Sequence, residues 1–293
     1  MKEQFKEITF RNKSFVMIDQ ANSIIEEYQA DGLTLTLRQL YYQFVIRNFF
    51  ENSQRSYDNL GRTISNARLA GLVDWDAIED RLRFRRGNIN WSSPSEMIRH
   101  YARRYTIDMW HNQPNRLEVW IEKDALIGVV EQVCLKNDVD YFACRGYVSQ
   151  SAQYEAGQRM ERYYNEGKRP IVIHMGDHDP SGIDMTRDND DRLCMFSGAS
   201  CEVRRIALNY DQVEQYKPPP NPAKLTDSRA KDYIRNHGRS SWELDALEPR
   251  VLQKLVQDTI DEYKEPEPWS ERVKLHKQHK RQLANIVAEL DKK

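Results

Sequence analysis

Two short stretches of the chain carry side chains able to act together. Glu122-Lys123 ends one candidate strand (Leu117–Glu122), and Asp177-His178-Asp179 follows another (Pro170–Met175). Side chains at i and i+2 of an extended segment share a face, so Asp177 and Asp179 are expected to point together. Neighbouring strands lie about 4.8 Å apart, so three carboxylates converge if the strands before Glu122 and Asp177 are adjacent. Carboxylates crowded into one crevice stay ionised only with a cation between them. Oxygen-only ligation suits Mg2+, which keeps waters and takes phosphate oxygens as further ligands. Glu122, Asp177 and Asp179 are therefore the expected metal ligands. Met175-Gly176 before the acids and Pro180-Ser181-Gly182 after them make a tight turn where backbone can approach a phosphate. His178, between the aspartates, reads as an exposed loop histidine without a role.

A second set lies on a helix. Thr36-Leu37-Arg38-Gln39 is a T-x-x-Q capping box. Leu37, Leu40, Tyr41, Phe44 and Val45 follow it as one apolar stripe. Tyr41 belongs to that stripe and is expected in the core. Tyr42 is turned about 100° away and stacks beside Arg38, four residues earlier, on the outward side. A phenol has a pKa near 10. A guanidinium beside it favours the phenolate and is placed to hold a phosphate.

These side chains need two kinds of scaffold. The 293 residues suggest about two domains. Helical patterns at 14–30, from Thr36 and at about 57–70 form a helix-turn-helix arrangement whose outer face carries Arg62, Ser65 and Asn66. Beyond residue 116, candidate strands Leu117–Glu122, Val139–Cys144, Pro170–Met175 and Cys201–Leu208 alternate with helices at 124–136, 150–165 and 182–195. That alternation predicts a parallel sheet with crossover helices. The Pro-rich stretch Lys217–Pro222 reads as a linker to two more helices, 244–263 and 270–290. The expected fold is thus a two-domain α+β and α/β chain: a helix-turn-helix domain over 1–115, a Rossmann-like parallel sheet over 116–216, and a helical C-terminal extension over 217–293 packed on the sheet domain.

Charge is uneven although 44 basic and 45 acidic side chains nearly cancel. Arg38 to Arg116 holds thirteen Arg, no Lys and eight acids, with Arg81, Arg83, Arg85 and Arg86 crowded together. Arginine suits bidentate phosphate contact, so Arg62, Asn66, Arg83, Arg85 and Arg86 are expected to meet nucleic acid. A mean hydropathy of −0.82 and the lack of any long apolar run argue against a membrane span. The first residues lack the apolar stretch of a secretory signal. Four cysteines without a CxxC pair rule out a disulfide scaffold and favour a reducing, cytoplasmic setting.

The block Glu122-Lys123 with Gly176-Asp177-His178-Asp179-Pro180-Ser181-Gly182-Ile183-Asp184 resembles a Toprim domain. Its long form resembles the topoisomerase VI A subunit and its relative, the meiotic double-strand-break transesterase. Cys144-Arg145-Gly146-Tyr147 resembles that family's glycine turn, and Trp242-Glu243-Leu244-Asp245-Ala246-Leu247 a block near its C-terminus. Arg38-Gln39-Leu40-Tyr41-Tyr42 resembles its winged-helix tyrosine motif. Pieces and spacings agree from about 34 to 265, most closely with small stand-alone A-like proteins of prokaryotic and phage genomes. Gln39 stands where the family usually has an acid, His178 where a small residue is usual, and Ser181 in place of an aromatic.

The resemblance implies a winged-helix domain, a Toprim domain and a type IIB topoisomerase-like DNA transesterase. Tyr42 would attack a phosphodiester of double-stranded DNA and form a 5′-phosphotyrosine, with Arg38 beside it. Glu122, Asp177 and Asp179 would hold Mg2+. Glu122 would also manage the leaving 3′-oxygen's proton, and Lys123 would contact phosphate. A homodimer is implied, one strand cut per chain, with the tyrosine of one chain working with the acids of the other. No GxxxxGK[ST] loop is present, so any ATP use would fall to a separate B-type subunit. A nucleoid-associated location in the cytoplasm follows. The residues leave two alternatives open: a Toprim nuclease that uses water, and a non-catalytic DNA-binding protein.

Overall fold

A computed structural model describes residues 2–78, 90–198, 200–223, 226–227 and 229–290. Arg81, Arg83, Arg85 and Arg86 lie outside the described residues.

Three helices open the chain: α1 (Asn12–Ala30), α2 (Leu37–Ile46) and α3 (Gln54–Leu69). The capping box forms as the sequence dictates. Thr36 Oγ1 accepts the Gln39 N–H at 3.3 Å, and Gln39 Oε1 accepts the Thr36 N–H at 2.8 Å. Two orphan donors at the start of α2 are thereby satisfied. Ile18, Ile24, Leu40, Phe44, Leu60 and Ile64 meet in one core, each burial contributing about 1.5–3 kcal/mol. Strand pairing here is limited, among the described residues, to isolated bridges of Gln4 with Ala70 and Leu35 with Ile78. Helix α4 (Pro94–Arg104) begins at Ser93, whose side chain accepts the Glu96 N–H.

The sheet region is α/β. Its elements are β1 (Asn115–Ile121), α5 (Ile127–Lys136), β2 (Asp140–Ala143), α6 (Gln150–Asn165), β3 (Arg169–Met175), α7 (Pro180–Ser197) and β4 (Glu202–Ala207). All three strand pairings are parallel, in the order β2-β1-β3-β4. Strand alternation sorts the core into two layers. Leu117, Val119, Ile121, Ile171 and Ile173 pack with Leu252, Val256 and Ile260 of α10 (Pro249–Tyr263). Trp120 and Val172 pack with Met160 and Leu193 on the other side.

The chain reaches α10 through α8 (Tyr210–Tyr216), β5 (Asn221–Pro222), α9 (Ala230–His237) and β6 (Ser240–Ser241). The Pro-rich stretch is thus more than a connector, because β5 pairs antiparallel with β6. Helix α11 (Pro266–Leu290) packs along α4. No helix among the described residues is long and apolar enough to cross a membrane.

Strand β1 has β2 on one side and β3 on the other. The connection leaving β1 runs through α5 to β2 on one side, and that leaving β3 runs through α7 to β4 on the other, so a crevice opens at the carboxyl ends of β1 and β3, where such sheets bind ligands. Glu122 and Asp177 stand at those two ends.

Candidate active site

Glu122 continues the β1 ladder, its N–H donating to Met175 O at 2.9 Å. Its Oε2 accepts the Asp177 N–H at 2.8 Å, so the side chain bends across the end of β3. The fit beneath it is close: a Cβ on Gly176 would lie 2.9 Å from Glu122 Oε2 and would push that carboxylate aside. A Cβ on Gly182 would lie 2.2 Å from Asp177 O, a backbone atom, so Gly182 is required by close approach. Asp177 Oδ1 accepts the Leu244 N–H at 2.8 Å. Asp179 is the N-cap of α7, its Oδ1 accepting the Gly182 N–H at 2.6 Å and the Ser181 hydroxyl at 2.9 Å.

Burial raises the Glu122 carboxyl above its ordinary range, with Asp179 adding to the effect. Burial likewise pushes Asp177 up to about 7; Lys123 opposes this while Glu122 and Asp245 add to it. Among the described residues no group of three His, Cys, Asp or Glu side chains is placed to hold a metal ion, so Glu122, Asp177 and Asp179 do not converge as the sequence spacing leads one to expect. The donors are nevertheless of the right chemistry for Mg2+, which is ordinarily held by one or two carboxylates with water and phosphate oxygens completing its shell.

Tyr41 and Tyr42 are both buried. Tyr41 meets its expectation: its hydroxyl donates toward Asn52 Oδ1 and Ser53 O and accepts the Ser53 N–H at 2.8 Å, pinning the turn between α2 and α3. Tyr42 does not lie on an open outward face. The segment Trp242–Asp245 and Asn221 cover that side of α2, leaving Tyr42 only 3 % exposed. It borders a cavity of about 360 Å³ together with Arg38, Asp177, Asp179 and Glu243. The Arg38 guanidinium stands 5.8 Å from the Tyr42 ring centroid. Its influence toward phenolate is outweighed: burial first, then Asp245 and Glu243, raise the phenol above its ordinary value.

Arg38 and Lys123 are held by Glu243 and Asp245, acids that no local spacing marks. Glu243 pairs with Arg38 Nη2 and, at 2.9 Å, with Lys123 Nζ. Asp245 lies 2.7 Å from Arg38 Nε and 2.9 Å from Lys123 Nζ. Lys123 also stands 3.0 Å from Asp177 Oδ1. The expected phosphate contact is thus an internal cation among three carboxylates. Burial works against the Glu243 carboxylate, yet Lys123 and Arg38 hold it down at about 2.

Arg205 on β4 belongs to the site although no sequence motif marks it. Its Nη2 donates to Gly176 O at 2.9 Å, Asp177 O at 2.7 Å and Leu208 O at 3.1 Å. Its Nη1 donates to Gly182 O at 2.9 Å and Thr186 Oγ1 at 3.0 Å. One buried guanidinium therefore clasps both ends of the acidic turn, and burial pulls it down to about 10.

His178 is buried, contrary to the expectation of an exposed loop side chain. Its Nδ1 lies 2.8 Å from Tyr233 Oη, and its backbone pairs with Trp242 in both directions. On α3, Arg62 is exposed and Asn66 half-buried, on the face the spacing assigned them.

Comparison with protein-family models, with curated proteins and with solved structures finds no match to this chain.

Proposed function

We propose that the chain is a DNA-cleaving transesterase of the type IIB topoisomerase A-subunit kind, with α2 and α3 as the helix-turn-helix of a winged-helix unit and the sheet as a Toprim domain. One observation carries the reading: Arg38, Tyr42, Asp177 and Asp179 border a single cavity. A tyrosine, a guanidinium and two carboxylates are the groups that phosphoryl transfer to a protein oxygen requires.

In the reaction, Tyr42 Oη bonds to a backbone phosphorus and the bond from phosphorus to the 3′-oxygen breaks. The phenol gives up its proton and the departing 3′-oxygen takes one. A 5′-phosphotyrosine and a free 3′-hydroxyl result, so the step is readily reversed. Arg38 faces the Tyr42 ring and is placed to hold the phosphate being attacked. Glu122, Asp177 and Asp179 would hold Mg2+, whose charge offsets that developing on the phosphate oxygens. Exposed arginines of the first hundred residues would carry the duplex, making binding steeply salt-dependent. A double-strand break needs two chains, hence a homodimer in the nucleoid, with a B-type subunit wherever ATP is used.

A second reading has its own support. Burial of Tyr42 and the raised phenol it causes weigh against a tyrosinate nucleophile, and with water in its place the chain would be a Toprim nuclease. End-labelled duplex incubated with Mg2+ and run on a denaturing gel, with and without proteinase, separates the two. We expect a protein-linked 5′ end that Tyr42→Phe abolishes and Tyr41→Phe retains. Free 5′-phosphates, still produced by Tyr42→Phe, would replace the transesterase with the nuclease.

A further inference from the structure

We propose that Asp245, assisted by Glu243, is a positioning residue for DNA cleavage: it orients Arg38 toward Tyr42 and Lys123 toward Asp177. The proposal rests on the transesterase reading and deepens it, naming what keeps two cations in register with the nucleophile and the acids.

The geometry is that of a hub. The Asp245 side chain has no exposed surface, and its two oxygens face different cations: Oδ1 accepts a hydrogen bond from Lys123, and Oδ2 lies 2.7 Å from Arg38 Nε as an ion pair without hydrogen-bond alignment. Those cations come from separate parts of the molecule, α2 and the end of β1. Glu243 repeats the bridge from a less buried position, and Asn221 Nδ2 donates to its other oxygen at 3.2 Å. Between the two acids, the Leu244 N–H holds Asp177. Just before them, Trp242 pairs with the backbone of His178, between the two aspartates. Four consecutive residues thus touch Arg38, Lys123 and the acidic turn.

This segment is fixed from both sides. Leu244 is fully buried in the core beneath the sheet, whereas Ala246 is buried in the core of α1–α3. The backbone between them cannot shift without opening one of the cores. Their carboxylates are therefore set by the fold, and the longer, more flexible Arg38 and Lys123 side chains follow. Stability alone gives little reason for such an arrangement. Desolvating these charges costs about as much as their attraction returns, and well-packed apolar residues would serve a purely structural joint as well or better. Orientation is what a buried bridge between two cations supplies. A misplacement of about 1 Å in a reacting constellation can slow a reaction on the order of 100-fold.

The test is a double-mutant cycle on single-turnover formation of the covalent DNA adduct. Asp245→Asn keeps the shape and removes the charge. We expect it to slow adduct formation on the order of 100-fold, with DNA affinity within about threefold of wild type, since the duplex is held by other arginines. Arg38→Ala should slow the reaction as well, and the double variant should lose clearly less than the product of the two single losses, because part of the Asp245 effect runs through Arg38 and only the part through Lys123 remains. A structural role would leave the two effects multiplicative. Glu243→Gln, at a position a quarter exposed, carries the same cycle if Asp245→Asn does not fold. Wild-type rates in both acid variants, or multiplicative losses, overturn the inference while leaving the transesterase intact. A wild-type chain that forms no adduct removes the transesterase and this role together.

Discussion

Asp179 has two duties that a single substitution can separate. Its Oδ1 caps α7, and its charge belongs to the cluster at the sheet's carboxyl end. Asparagine is as good an N-cap as aspartate, whereas alanine loses about 1 kcal/mol. Asp179→Asn should therefore melt as wild type does yet lose Mg2+-dependent cleavage, and Asp179→Ala should lose both. Thermal unfolding beside a plasmid-cleavage assay reads the two effects; full cleavage by Asp179→Asn at limiting Mg2+ would remove it from the ligand set. The acid pair was legible in the sequence because residue type and i, i+2 spacing define it locally. Arg205 and Asp245 were not. Arg204 and Arg205 are neighbours on one strand, and only the assembled fold shows that Arg204 reaches Glu262 of α10 while Arg205 turns toward α7. Asp245 meets Arg38 from more than 200 residues away, and no local pattern encodes that meeting.

Elements explain both the success and the failure over the two tyrosines. Amphipathic spacing identifies the apolar face of α2, and Tyr41 lies on it. Spacing does not say whether the polar face meets water or another polar segment, and here Glu243–Asp245 covers it with charge-matched side chains. The buried polar content of β3 leads to a pH effect. His174 is fully buried, its Nδ1 2.9 Å from Thr186 Oγ1, and burial, with Arg205 adding, pulls its pKa down to about 3. An unfolded histidine titrates near 6.5. Between those values the unfolded chain binds a proton that the folded chain refuses, so stability falls as pH drops below about 6.5. From pH 7.5 to 5 the loss from this side chain is about 2 kcal/mol. Urea unfolding of wild type and His174→Gln at both pH values measures it. Equal losses in the two proteins would show that His174 is not held neutral in the fold.

At the scale of the whole molecule, strand-helix alternation announced the parallel sheet, and β1 and β3 are indeed neighbours, the condition on which the convergence of Glu122 and Asp177 depended. What alternation could not give was how the helical N-terminal part sits on that sheet. The resemblance to the topoisomerase VI A subunit implied a tyrosine of one chain working with the acids of another. In this chain Tyr42, Asp177 and Asp179 border the same cavity, and the segment holding Arg38 to Lys123 is anchored in both cores. On the proposed function, a site assembled within one chain follows, and a dimer would serve to place two such sites on opposite strands. Co-expression of Tyr42→Phe and Asp179→Asn chains tests this. If the site is internal, every chain in the mixed dimers lacks one essential group, and no adduct forms. If the site is shared, half of the randomly paired dimers regain one intact site, restoring about a quarter of the wild-type sites. Light scattering on the same sample establishes that dimers are present, so recovery of adduct would place the tyrosine of one chain against the acids of its partner.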